Sequence, residues 1–116
     1  MCLNVDWEAA LATVNGDRSL LKLVITAFLE ESVQLQGQVS TAVENEDAEL
    51  LHRCGHTLKG TMNSLGAANW SQTALRLEEL GATGSTAGAQ PIVDELNEQL
   101  PSLLEQLRTF SAEQSD

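Results

Sequence analysis

An all-α domain, an up-and-down four-helix bundle with a short extra N-terminal helix, is the fold the sequence predicts, and three observations predict it. Aromatic residues make up only 3% of the chain and tyrosine is missing, which disfavours sandwiches and barrels built from β-formers. Apolar residues recur at helical spacing over long stretches. The connections between those stretches are short, as antiparallel helical neighbours require. A chain of 116 residues also has material for one core and not two, burying roughly two-thirds of its unfolded surface. A single domain over 1–116 is therefore expected.

The first helix is expected over 6–14, where Asp6 can cap it and Asn15-Gly16 can stop it. From Asp17, the residues Leu21, Ile25, Phe28, Leu35, Val39 and Ala42 recur at steps of 4, 3, 7, 4 and 3, which predicts a long helix over 17–45. Asp47 can cap a third helix over 47–65, ended by Gly66, and Asn69 stands near the start of a fourth over 69–81. The Gly/Ala/Ser/Thr-rich stretch from Gly81 to Gln90 reads as a loop. A fifth helix is expected over 91–110, because Pro91 suits a first turn and Ile92, Leu96, Leu100, Leu103, Leu104 and Leu107 form a stripe. Pro101 is expected to kink or split it, and the short first helix to lie over the bundle as a lid.

Seventeen acidic residues against 6 basic ones give a formal net charge of -11, so the average surface repels phosphate backbones and anionic lipid. Neither nucleic acid nor direct membrane contact is expected. The longest charge-free run, Gly60 to Leu75, carries Asn, Ser, Gln and Thr and is too polar to span a bilayer. Met1-Cys2 begins no signal peptide, and a cytoplasmic location is expected. Cys2 and Cys54 imply no disulfide framework, and Cys54 reads as a core residue. The acids Glu30, Glu31, Glu44, Glu46, Asp47 and Glu49 read as a solubilising face, and Trp7 and Trp70 as packing residues.

The third helix is the most specific part of the chain. On a wheel of about 100° per residue with His56 at zero, Leu51, Cys54, Leu58, Met62 and Leu65 fall at roughly 140° to 240°. That stripe is the core face, so His56 points to solvent. Within about 60° of His56 lie His52, Arg53, Lys59, Gly60 and Asn63, a polar patch suited to an anion carried on His56. Gly55 and Gly60 bracket the histidine, and each costs a helix about 1 kcal/mol relative to Ala. Gly60, at i+4, leaves the imidazole open to an incoming surface and makes room for a phosphoryl group. Lys59, at i+3, can reach the same group as a flexible point charge. Three of the 6 basic residues, Arg53, Lys59 and Arg76, fall between 53 and 76.

His56-Thr57-Leu58-Lys59-Gly60 followed by Leu65-Gly66-Ala67 resembles the His-x-Leu-Lys-Gly…Gly-Ala signature of histidine-containing phosphotransfer (HPt) domains. Asp6-Trp7-Glu8-Ala9-Ala10-Leu11, with Gly16-Asp17 and Leu20-Leu21, is similar to the start of HPt domains attached to hybrid sensor histidine kinases. Leu77-Glu78 resembles the family's position in the next helix. The likeness covers nearly the whole chain to about Leu80, while the last helix is generic. It implies a four-helix bundle that takes a phosphoryl group from a receiver-domain aspartate and passes it to another receiver. His56 would be the phosphorylated nucleophile, Lys59 would neutralise phosphate charge and Gly60 would give clearance. The partners it implies are receiver domains of a hybrid sensor kinase or a response regulator, with Mg²⁺ on the receiver and no cofactor on this chain. A monomer is expected, on the cytosolic side if it is part of a membrane sensor. Two departures stand out: Gly55 replaces the family's usual Ala, and Pro101 makes the last helix irregular.

His52, Arg53 and Asn63 are expected on the rim that meets a partner. Gln72 and Arg76 belong to the fourth helix and read as a solvated face. His52 and His56 have the i, i+4 spacing of metal ligands, but no Glu follows His52 and no third ligand is evident, so no metal site is expected. A further alternative is a non-catalytic helical adaptor that binds a signalling partner through the patch around His56. The chain shows no Gly-rich nucleotide loop and no carboxylate cluster for Mg²⁺, so autonomous kinase activity is not expected.

Overall fold

The computed structural model describes residues 4–113. Among them are five helices and no strand: α1 (Trp7–Ala12), α2 (Arg18–Glu44), α3 (Ala48–Ser64), α4 (Ala68–Ala82) and α5 (Ala89–Ala112). From α2 onward each helix packs on the one before it, and α5 closes the ring against α2. This is an up-and-down four-helix bundle with α1 across one end. Cys2 lies outside the described residues; Cys54 is buried as a free thiol, and burial pushes that thiol above its ordinary value.

The two expected aspartate caps, at Asp6 and Asp47, both form, and Asp17 adds a third at the start of α2. The side chains of Asp6, Asp17 and Asp47 accept from the backbone N–H of Ala9, Leu20 and Leu50 at 3.1, 3.1 and 3.0 Å, each satisfying a donor that the first turn leaves free. Asn15 and Gly16, both at positive φ, end α1 as expected. Gly66, at φ 73, ends α3 and does something more. A Cβ there would lie 2.1 Å from the carbonyl oxygen of Asp6, and Asp6 N–H donates to the Gly66 carbonyl at 2.8 Å. Only glycine allows this clasp between the end of α3 and the start of α1. Trp7 stacks on Phe110 with centroids 4.5 Å apart, so α1 is pinned to α5 as well.

The core is aliphatic, built on Leu21, Ile25 and Phe28 of α2, Leu51, Leu58 and Met62 of α3, and Leu96, Leu100 and Leu103 of α5. Trp70, fully buried on α4, donates its indole N–H to the Gln99 carbonyl at 3.0 Å. The last helix departs from expectation at its start, and of the kink or split expected at Pro101 the split is absent. The helix begins earlier, at Ala89 after Gly88 (φ 84), and Pro91 falls within its first turn, where backbone N–H groups have no helical partner. Pro101 does not split it: α5 runs unbroken to Ala112 with the proline on its exposed side. A helical proline costs about 3 kcal/mol, whereas Leu96, Leu100, Leu103 and Leu107, all buried on one stripe spanning it, are worth about 1.5–3 kcal/mol each.

Candidate functional site

The α3 stripe lies where periodicity puts it, with Leu51, Cys54, Leu58 and Met62 buried and His56 opposite them with 67% of its side chain exposed. Arg53, Gly60 and Asn63 are exposed on the same side, and His52 and Lys59 are half-buried. The two glycines that bracket His56 differ. A Cβ at Gly60 would meet nothing within 4 Å, so Gly60 is open space beside the imidazole. Gly55 is buried, and a Cβ there would lie 2.5 Å from the backbone nitrogen of Glu78 and 2.8 Å from the carbonyl oxygen of Ala74. Helix α4 therefore runs unusually close beneath the histidine.

That proximity delivers Glu78 to the site. Its Oε2 lies 2.8 Å from His56 Nδ1 and its Oε1 lies 2.6 Å from Lys59 Nζ. Its side chain is 13% exposed, so this carboxylate is far better shielded than the histidine it serves. The Lys59 hydrogen bond, aided by His56, holds the Glu78 carboxyl below the ordinary carboxylate range against a smaller opposing effect of burial. Glu78 also binds through its main chain, since His52 Nδ1 lies 3.0 Å from the Glu78 carbonyl oxygen. A carboxylate and a carbonyl only accept, so each imidazole donates from Nδ1, which in the neutral ring leaves the Nε2 lone pair free. The exposed His56 ring is thus held through Nδ1 with its Nε2 side turned away from Glu78.

The structure gathers His56, Lys59 and His52 around Glu78 and leaves Gly60 as the gap beside them. Arg53 and Asn63 stay on the surrounding surface. His52 is placed differently from a simple rim residue, because one of its ring nitrogens is committed to α4. Arg76 turns away to Glu95 on α5 at 2.6 Å, and Gln72 is exposed on α4. Glu78 is the residue whose role the sequence did not disclose. The signal available was that His56 and Lys59 one turn apart both favour an anion, and that α4 carries the acidic pair Glu78-Glu79. Choosing between those two acids requires the register of α3 against α4. Among the described residues no group of three or more His, Cys, Asp or Glu side chains could hold a metal ion, and no helix is long and apolar enough to cross a membrane. A cavity of about 620 Å³ near Trp7, Arg18, Phe110 and Glu113 takes no lining from α3 or α4.

Comparison with known proteins bears on the family and the fold. The family model described as Hpt domain matches residues 24–110. No curated protein sequence matches the chain. Among solved structures, the HPT domain from the Hpt sensor hybrid histidine kinase from Shewanella superposes with a TM-score of 0.83, at 16% sequence identity and covering 97% of each chain. At that identity the likeness concerns the fold.

Proposed function

We propose that this chain, which belongs to the Hpt domain family, accepts a phosphoryl group from a receiver-domain aspartate onto Nε2 of His56 and hands it on to another receiver. Members of the family are phosphocarriers in two-component signalling rather than enzymes that turn over a substrate. The observation that carries the finer reading is the hydrogen bond from His56 Nδ1 to the shielded carboxylate of Glu78.

In the step proposed, the His56 Nε2 lone pair attacks phosphorus in line with the P–O bond to the aspartate. The N–P bond forms, that P–O bond breaks, and the aspartate departs as a carboxylate. The imidazole, still protonated on Nδ1, gains positive charge as its lone pair is shared. Glu78 is already in place to stabilise that charge without reorganisation. Lys59 has further N–H donors beyond the one engaged by Glu78, and these suit the phosphoryl oxygens. Gly60 leaves space for the receiver. Return of the phosphoryl group to a second receiver is the same step reversed. The receiver would bring Mg²⁺, and this chain would need no cofactor of its own and no kinase activity of its own. Arg53 and Asn63 would lie within the contact, and the chain would work as a monomer.

Incubating the protein with phosphorylated receivers and mapping the phosphoryl group tests this reading. The group is expected on His56, and His56→Gln should accept none while remaining folded, losing no more than the roughly 1.5 kcal/mol of its hydrogen bond to Glu78. Label on His52 in that variant would overturn the assignment. Binding of receivers with no transfer from any of them would favour the adaptor.

A further inference from the structure

The close approach of α3 and α4 is made by two glycines that face each other's helix in a reciprocal way. Gly55 of α3 sits on the backbone of Glu78, where a Cβ would come 2.5 Å from Glu78 N and 2.9 Å from Glu78 Cα. Gly81 of α4 sits on the backbone of His52, where a Cβ would come 2.5 Å from His52 N, 2.6 Å from the Ala48 carbonyl oxygen and 2.8 Å from His52 Cα. Each glycine therefore seats on one of the two residues that meet across this interface, and between the two notches His52 Nδ1 donates to the Glu78 carbonyl at 3.0 Å. Both glycines are buried. Neither position needs glycine for its dihedral angles, since both lie inside regular helices without positive φ. What they supply is proximity.

We infer that Gly55 and Gly81 are positioning residues for phosphoryl acceptance: together they set the α3–α4 separation at which the Glu78 carboxylate reaches His56 Nδ1 and fixes the ring with Nε2 bare. The inference rests on the function proposed for His56 and extends it to residues that touch neither substrate nor partner. Every close neighbour of the absent Cβ atoms is backbone, so no side chain can swing aside to admit a methyl group. Ordinary contact begins at 3.4 Å, so one alanine would have to drive α4 outward by about an ångström. Moved by that much, an Oε2 now 2.8 Å from Nδ1 leaves hydrogen-bonding range unless the side chain re-extends against its own rotamer.

The test reads the His56 tautomer in the isolated protein from its imidazole ¹⁵N chemical shifts, with Gly37→Ala as the control. A Cβ at Gly37, on α2, meets nothing within 4 Å, so that variant should melt higher than the parent, as a helical Gly→Ala ordinarily does, with the parent's tautomer. Gly55→Ala should reverse the sign by melting lower, and its Nδ1–H to Nε2–H ratio at His56 should fall about tenfold, the size expected for loss of a hydrogen bond to a charged group. Gly81→Ala should act the same way from the His52 end. A folded Gly55→Ala protein with the parent's tautomer ratio overturns the inference. Should neither alanine variant fold, Glu78→Asp decides, because it withdraws the carboxylate by one methylene with both glycines in place. An unchanged tautomer there would overturn the inference too. Since no phosphodonor takes part, failure of His56 to accept phosphoryl would remove the functional reading and leave this measurement standing.

Discussion

Gly60 offers the sharpest separation of folding from function, because the two make opposite demands on it. It stands on the exposed side of α3, one turn beyond His56, and a Cβ there would meet nothing within 4 Å. The fold therefore gains nothing from glycine and loses helix propensity, about 1 kcal/mol relative to alanine. Gly60→Ala should raise stability by up to that amount, roughly 4 °C in Tm for a domain of this size. Gly60→Leu should also fold and melt no lower than the parent. Its side chain would lean toward the helix N-terminus and lie over the preceding turn, where His56 sits. A receiver must bring its phosphorus within bonding distance of Nε2, and misplacement by about 1 Å costs on the order of a hundredfold in rate. Transfer from a phosphorylated receiver to Gly60→Leu should fall by about that factor, while phosphorylation by a small phosphodonor such as phosphoramidate falls much less. The assay is thermal melting by circular dichroism beside single-turnover transfer with both donors. Full receiver transfer by a folded Gly60→Leu protein would refute the clearance argument. A melt well below the parent's would show that Gly60 is packed against a neighbour.

Lys59→Ala should slow receiver transfer about five- to thirtyfold without abolishing it, equivalent to roughly 1–2 kcal/mol in the barrier; an unchanged rate at low ionic strength would leave Lys59 with no part in the step. Glu78→Gln keeps the shape of the side chain but exchanges a charge-assisted acceptor for a neutral one, a difference of about 1 kcal/mol. Transfer to His56 should slow about fivefold near pH 7, and equal rates would show that the carboxylate is not needed. Glu78 and Glu95 are both held below the ordinary carboxylate range, foremost by hydrogen bonds from Lys59 and Arg76 respectively. Their folded forms release protons more readily than the unfolded chain, so their stabilisation is complete above the unfolded pKa of about 4.3 and is lost as pH falls through the lower folded value. Glu78→Gln should make Tm less sensitive to pH below about 4, and an acid limb identical to the parent's would contradict the assignment.

What the sequence discloses about this molecule divides along a physical line. Much that depends on one helix at a time is legible: the caps at Asp6 and Asp47, the exposure of His56 opposite Leu51, Leu58 and Met62, and the turn at Asn15-Gly16 follow from local hydrogen bonding and a 3.6-residue period. The unbroken course of α5 through Pro101 is not legible, because a local penalty there is outweighed by burial along the whole stripe, a tertiary term that no local pattern contains. The same limit hides the division of labour between two glycines on one helix. Gly55 and Gly60 both read as costs that function must offset, yet Gly60 faces open space and Gly55 faces the backbone of α4. Wheel angle alone hints at this, since Gly55 falls about 100° from His56 toward the edge of the core stripe. Only the register of α4, however, determines that the backbone beneath Gly55 belongs to Glu78 rather than to Glu79. That register gives an exposed histidine, common on any helical surface, a fixed partner for Nδ1, which is the feature the proposed transfer through Nε2 depends on. An acid that the sequence marks only by resemblance therefore does as much to define the site as the motif residues that announce it.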